Sequence, residues 1–213
     1  MTKKQPNKNM THKTPTKSGR ILLCWCDNGN TDGKFTEGLA YTLLTTDAPI
    51  TSAMRVQGNQ IGRQRQNAFD SWLDNTTHEW VLWLDSDIVI NKDVVEALWH
   101  WADKNERPVI SGTYFISKEN EKSVMTPFPA AFNFTDDEFV IQYLHPLPVN
   151  TVIKVDSAGF GILLMHRSVV TKMKQVHGDI PFFNETGVGE KFTSEDITFF
   201  KLMKKADIPL HIH

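Results

Sequence analysis

Between Arg20 and Phe115 the apolar pattern switches repeatedly between strand-like and helix-like spacing, and this alternation restricts the fold more than any other feature. RILLCWCDN is a short apolar run ending in turn-formers, which predicts a buried strand. Helix-compatible spacing follows from Gly33 to about Asp47, then ITSAMRV reads as a second strand. Asn59 to Asp74 is amphipathic, with Ile61, Arg65, Ala68, Phe69 and Trp72 on one broad stripe. EWVLWLDSDIVI is the most apolar strand of the chain. Asn91 offers an N-cap to the helix NKDVVEALWHWADKN, and Asp93 in its first turn favours the positive end of the dipole. PVISGTYF is a further strand. Such an order predicts a parallel sheet with helices on both faces, nucleotide-binding in general shape.

The second half changes character. Residues 120–155 are rich in proline and aromatics and predict hairpins or long loops. VDSAGFGILLMHRSVVTKM predicts a strand running into a helix. SEDITFFKLMKKAD predicts an amphipathic helix with Ile197, Phe200 and Leu202 or Met203 inward, and IPLHIH a last strand.

Charge narrows the partners. Of 23 basic residues six fall in residues 1–20, which hold no acid, so the rest of the chain sets 17 bases against 25 acids. That acidic body is a poor surface for a nucleic-acid backbone, and no nucleic-acid partner is expected. Residues 1–19, rich in Lys, Thr, Asn and Pro, predict a disordered basic leader without the apolar core of a signal peptide. Nowhere do about eighteen apolar residues run together, so no transmembrane segment is expected. Cys24 and Cys26 flank Trp25 on one face of a strand and read as buried thiols, consistent with a reducing cytoplasm.

Asp85-Ser86-Asp87 ends the most apolar strand, at the edge where open α/β sheets put their ligands. Two carboxylates two residues apart suit Mg²⁺ or Mn²⁺, with phosphate oxygens and water filling the other positions. The competing reading is a helix cap or surface turn, and Asn91 already supplies a cap. Glu195-Asp196 also has two readings, a helix start capped by Ser194 or Thr193, or a carboxylate that deprotonates a hydroxyl. Gly159 and Gly161 flank Phe160 in a strand-like segment, where glycine implies a bulge or a group passing close over the backbone. The tryptophans fit core or helix-packing positions.

RQRQN (Arg63 to Asn67) on a helix, EWVLWLDSDIVINKDVVEAL, DSAGFGILLMHRSVV and SEDITFFKLMKKADIPLHIH together resemble the GT-A core of inverting glycosyltransferases. They are especially similar to the yeast mannan-polymerase mannosyltransferases and to family-2-like viral and bacterial enzymes. The small size also resembles the N-terminal module of chlorella-virus capsid glycosyltransferases, which would place the chain in a host cytoplasm and allow further domains beyond His213. The resemblance spans roughly residues 20–213. It implies one α/β GT-A (Rossmann-like) domain, its mostly parallel central sheet flanked by helices and accompanied by a smaller mixed or antiparallel acceptor-side part. About 20–118 would form the nucleotide-binding half and about 119–213 the acceptor and catalytic half.

By the same resemblance Asp87 would bind Mn²⁺ or Mg²⁺, and Asp85 would bind the ribose or assist the metal. Arg65 and Arg63 would reach the nucleotide or its diphosphate. Cys26, Asp27 and Asn28 would lie where the family contacts the base, with Asp27 accepting from a base N–H; Ser86 and Gly159 would line the donor. Asp196, with Glu195 beside it, would be the base, and His211 or His213 the last metal ligand. The implied reaction moves a sugar from a UDP-sugar, or a GDP-sugar, to a glycan or glycoprotein hydroxyl, and GT-A folds serve retaining chemistry as well as inverting. Two alternatives stand beside it. One is a GT-A-like module that binds without transferring. The other is a phosphohydrolase with Asp85 as nucleophile, a family in which position 89, here Val, is usually Thr.

Overall fold

The computed structural model describes residues 18–119, 125–137, 139–188 and 191–213. The expected basic leader, residues 1–19, lies outside the described residues up to position 17. The predicted alternation is present: β1 (Ile21–Asp27), α1 (Gly33–Thr45), β2 (Ile50–Gln57), α2 (Ile61–Asn75), β3 (Trp80–Asp85), α3 (Lys92–Trp101) and β4 (Val109–Ser111). After these come β5 (Phe115–Glu119), β6 (Met125–Pro129), β7 (Ala131–Phe134), β8 (Ile141–Tyr143), β9 (Ile153–Val155) and β10 (Ser157–Ala158). The chain then forms β11 (Ile162–His166), α4 (Ser168–His177), β12 (Thr186–Val188), β13 (Lys191–Thr193), α5 (Glu195–Lys205) and β14 (Leu210–Ile212).

The central sheet has the order β2-β1-β3-β11-β4-β14-β9. β1, β2, β3, β4 and β14 run one way, whereas β11 is antiparallel to both β3 and β4, and β9 is antiparallel to β14. The sheet is therefore mostly parallel, as the GT-A pattern implies. Smaller antiparallel pairings, β10-β7-β8, β5-β6 and β12-β13, occupy the second half.

β3 lacks polar alternation because both its faces and both its edges are covered, so every residue from Trp80 to Leu84 is buried. Leu82, Leu84 and Ile110 pack on one face with Phe35 of α1 and Leu98 of α3. Trp83, Leu163 and Ile212 pack on the other with Phe69 of α2, Met173 of α4 and Phe200 of α5. The stripe on α2 is as predicted except at Ile61, which is exposed, and α5 turns Met203 rather than Leu202 fully inward. Asn91 caps α3 as expected, its side-chain oxygen accepting from Val94 N–H at 3.1 Å. Among the described residues no helix is long and apolar enough to cross a membrane.

Candidate functional site

The carboxyl end of β3 and the start of α5 meet through one arginine. Arg65 lies on the inward stripe of α2, and its two terminal nitrogens part company: Nη2 donates to Asp85 Oδ1 at 2.7 Å, Nη1 to Glu195 Oε1 at 2.5 Å. Its guanidinium sits 4.7 Å over the Phe160 ring, which itself contacts Phe183, Phe199 and Phe200. An aromatic floor keeps water away and strengthens both ion pairs. α2 comes this close to α5 because position 62 is glycine; a Cβ there would lie 2.9 Å from the Phe183 carbonyl oxygen and 3.3 Å from the Glu195 Cβ. Arg65 is only 5% exposed. Two of its five N–H donors are thereby committed to protein carboxylates.

Glu195 and Asp196 separate in role. Glu195 is buried against Arg65; burial raises its pKa and Arg65 opposes that rise. Asp196 is half-buried, and its Oδ1 accepts from the Ser194 hydroxyl and from Ile197 N–H at 2.7 Å, while nothing among the described residues bonds its Oδ2. Ser194, expected as a side-chain cap of α5, caps no backbone N–H and orients Asp196 instead. Each acid has one oxygen engaged, and Asp196 is the one open to solvent, whereas Glu195 is buried and ion-paired.

Asp27 is also engaged by the protein itself. Oδ1 accepts from Arg55 Nη2 at 2.8 Å and Gly29 N–H at 2.7 Å; Oδ2 accepts from Arg55 Nε at 2.6 Å and Trp25 Nε1 at 3.1 Å. Those four bonds fill a carboxylate's lone pairs, leaving nothing for a base N–H. Arg55 holds its pKa below the usual carboxylate range. Asp27 thus shapes the loop after β1. Asn28 is exposed and its side chain accepts from Asn30 N–H at 3.2 Å. Cys26 is buried beside Asp85 across the β1–β3 ladder, its thiol pushed up to about 11 by burial. Cys24 is a buried free thiol, as expected. Arg63 stands exposed on α2, the arginine of the pair left open to a ligand.

Asp85, Ser86 and Asp87 form a turn closed by Ile88 N–H to the Asp85 carbonyl at 3.1 Å. Asp85 keeps one oxygen clear of Arg65, Ser86 is half-exposed, and Asp87 is exposed. His211 and His213 do not join them. Leu210 and Ile212 point to the α2–α5 face, so the histidines between and after them point to the α1–α3 face, where the His213 ring lies 6.1 Å from that of Trp101. Asp85 is on the opposite side, with Arg65. Burial, Arg107 and Lys154 all lower the His211 pKa. Among the described residues no three His, Cys, Asp or Glu side chains gather closely enough to hold a metal.

The family model of glycosyl transferase family 2 matches residues 27–159, more than half of the chain. This chain belongs to glycosyl transferase family 2. Its fold is also that of a crystal structure of A197 from STIV, at 18% identity and a TM-score of 0.56, covering 91% of this chain and 81% of that one. Two remoter likenesses are too distant to inform the site. They are CMP:2-keto-3-deoxy-manno-octonic acid synthetase complexed with CTP (12% identity, TM-score 0.48, 91% and 89% coverage) and GalNAc-T7 with UDP, GalNAc and Mn²⁺ (9%, 0.40, 91% and 41%). No curated protein sequence gives a match. The family 2 match ends before β11, so Glu195 and Asp196 lie beyond it.

Sequence reasoning missed Tyr114 in this family 2 chain. Gly159 was expected to line the donor, but it and Gly161 clear space for the Tyr114 ring: a Cβ on Gly161 would come within 2.6 Å of ring carbons, and one on Gly159 would fall on the phenol oxygen. The paired glycines were the available signal, naming a close approach but not its source. Gly159→Ala should cost about 1–3 kcal/mol through overpacking. Urea unfolding checks this, and the cost should shrink in a Tyr114→Ala background. An equal cost in both backgrounds would mean the ring is not what the glycine accommodates.

Proposed function

We propose that this chain transfers a sugar from a nucleotide-sugar donor, UDP-linked by preference and GDP-linked as the alternative, to a hydroxyl of a glycan or glycoprotein. The observation that carries the reading is the Arg65 bridge, which draws the Asp85 turn and the Glu195-Asp196 helix start into one site from opposite parts of the chain. Asp85 and Asp87 would hold Mn²⁺ or Mg²⁺ together with the donor's diphosphate. When bound, that cation supplies neutralisation of the leaving diphosphate. Asp196 Oδ2 takes the proton of the attacking hydroxyl, and Ser194 and Ile197 N–H hold the carboxylate in place. Arg65 and Glu195 position Asp85 relative to Asp196, and Arg63 remains to meet phosphate. Attack from the Asp196 side, opposite the leaving group, would invert the anomeric carbon.

A phosphohydrolase fits less well, since a nucleophilic Asp85 would have an oxygen pinned by Arg65 and Val89 is exposed where a hydroxyl would be wanted. A panel of nucleotide sugars, scored for Mn²⁺-dependent hydrolysis and transfer, tests the proposal. Asp87→Ala should weaken Mn²⁺-dependent nucleotide binding by about 100-fold, read by calorimetry. Undiminished binding and turnover in Asp87→Ala would sink the metal assignment. Binding without turnover of any donor by the unaltered protein would make it a non-catalytic module.

A further inference from the structure

The segment Gly159-Phe160-Gly161 is fixed to the Asp85 turn on one side and to Tyr114 on the other. Phe160 lies under Arg65, and the Gly161 carbonyl accepts Asp85 N–H at 3.0 Å. On the far side Tyr114 covers both glycines, and Gly161 N–H donates to the phenol oxygen at 3.3 Å. That bond occupies a lone pair of the phenol and leaves its proton free to donate. Among the described residues nothing accepts it, although the side chain is half-buried and a donor so placed normally has a partner.

The surroundings say where such a partner would lie. Tyr114 packs on the cluster that contains Ile197, the residue after Asp196. Burial pushes the phenol up to about 12, and Asp85 and Asp196 both add to the rise, so it stands in the field of both carboxylates. If Asp85 and Asp87 mark the leaving diphosphate and Asp196 the attacking hydroxyl, the space between them belongs to the sugar being moved. We infer that Tyr114 donates a hydrogen bond from its phenol to a hydroxyl of the transferred hexose, and so selects the sugar rather than the nucleotide. This inference rests on the glycosyl-transfer reading of the same site.

Tyr114→Phe keeps the ring over the glycines and removes only the oxygen. Calorimetry in Mn²⁺ compares UDP with UDP-glucose, and GDP with GDP-mannose as the second pair. The variant should bind the preferred nucleotide sugar about tenfold more weakly and the bare nucleotide diphosphate unchanged. A deoxy-sugar donor lacking the recognised hydroxyl should show the same loss on the unaltered protein and no further loss on the variant. Equal weakening of nucleotide and nucleotide sugar would mark Tyr114 as merely structural and overturn the inference. So would unchanged affinity for both, or a change confined to the KM of the acceptor. If the unaltered protein binds neither nucleotide sugar, the glycosyl-transfer reading itself falls, and the tyrosine's role with it.

Discussion

Arg65→Met is expected to lower the stability of the folded chain by about 3–5 kcal/mol at neutral pH, a large part of what a domain this size has to lose. The size of the effect comes from what remains behind. Glu195 is 8% exposed at its side chain and Asp85 30%, and without the guanidinium two carboxylates face each other over an aromatic floor. Hydrophobic volume is nearly conserved, so the loss reports charge rather than a cavity. The pH dependence has a definite sign. Burial already holds Glu195 above the ordinary carboxylate range, with Arg65 pulling it down, so removing Arg65 raises it further. A raised folded pKa gives stability that is present below the unfolded value and lost as pH rises through the folded one. The deficit of Arg65→Met should thus be largest at neutral and alkaline pH and shrink as pH falls towards about 4.3. Urea unfolding across that range checks it, and adding Glu195→Gln should restore part of the loss. Unfolding identical to the unaltered chain at neutral pH would mean the bridge contributes nothing.

Asp196→Asn is expected to reduce transfer by about 10²- to 10⁴-fold while leaving donor affinity nearly intact. The amide oxygen can still accept from Ser194 and from Ile197 N–H, so the helix start keeps its geometry. What disappears is the carboxylate able to take a proton. Glu195→Gln is the informative contrast, since it breaks the pair with Arg65 and should cost stability more than it costs the chemical step. Single-turnover rates with saturating donor, set beside donor affinities, separate the two. Transfer surviving in Asp196→Asn but lost in Glu195→Gln would move the base to Glu195.

Features resting on local spacing were legible before the structure. The buried β3, the Asn91 cap, the shared face of Cys24 and Cys26, and the order of strands and helices each depend on residues a few positions apart. What was not legible involves partners distant in sequence. Nothing within α2 tells that Arg65 pairs with Asp85 and Glu195. Asp27 looked open until Arg55, from the neighbouring strand, filled it. Period two puts His211 and His213 on one side of the chain, but which side faces Asp85 depends on the packing of Leu210 and Ile212. Tyr114 carried no motif, and only the glycines opposite it bore a trace of its presence.

The reversed strand β11 has a consequence for how the chain is assembled as it is made. β1, β2 and β3 can pair as soon as they have emerged, and Arg65 can meet Asp85 at once. β4, though made next, touches none of those strands; its neighbours are β11 and β14. The middle of the sheet stays open until residues 162–166 arrive, and the bridge to Glu195 closes later still. Such long-range closure makes folding slow and leaves an apolar strand edge bare in the meantime. The charge centre of the site is therefore completed only after β11 has emerged, so a chain that has built it already holds the strand that joins β3 to β4.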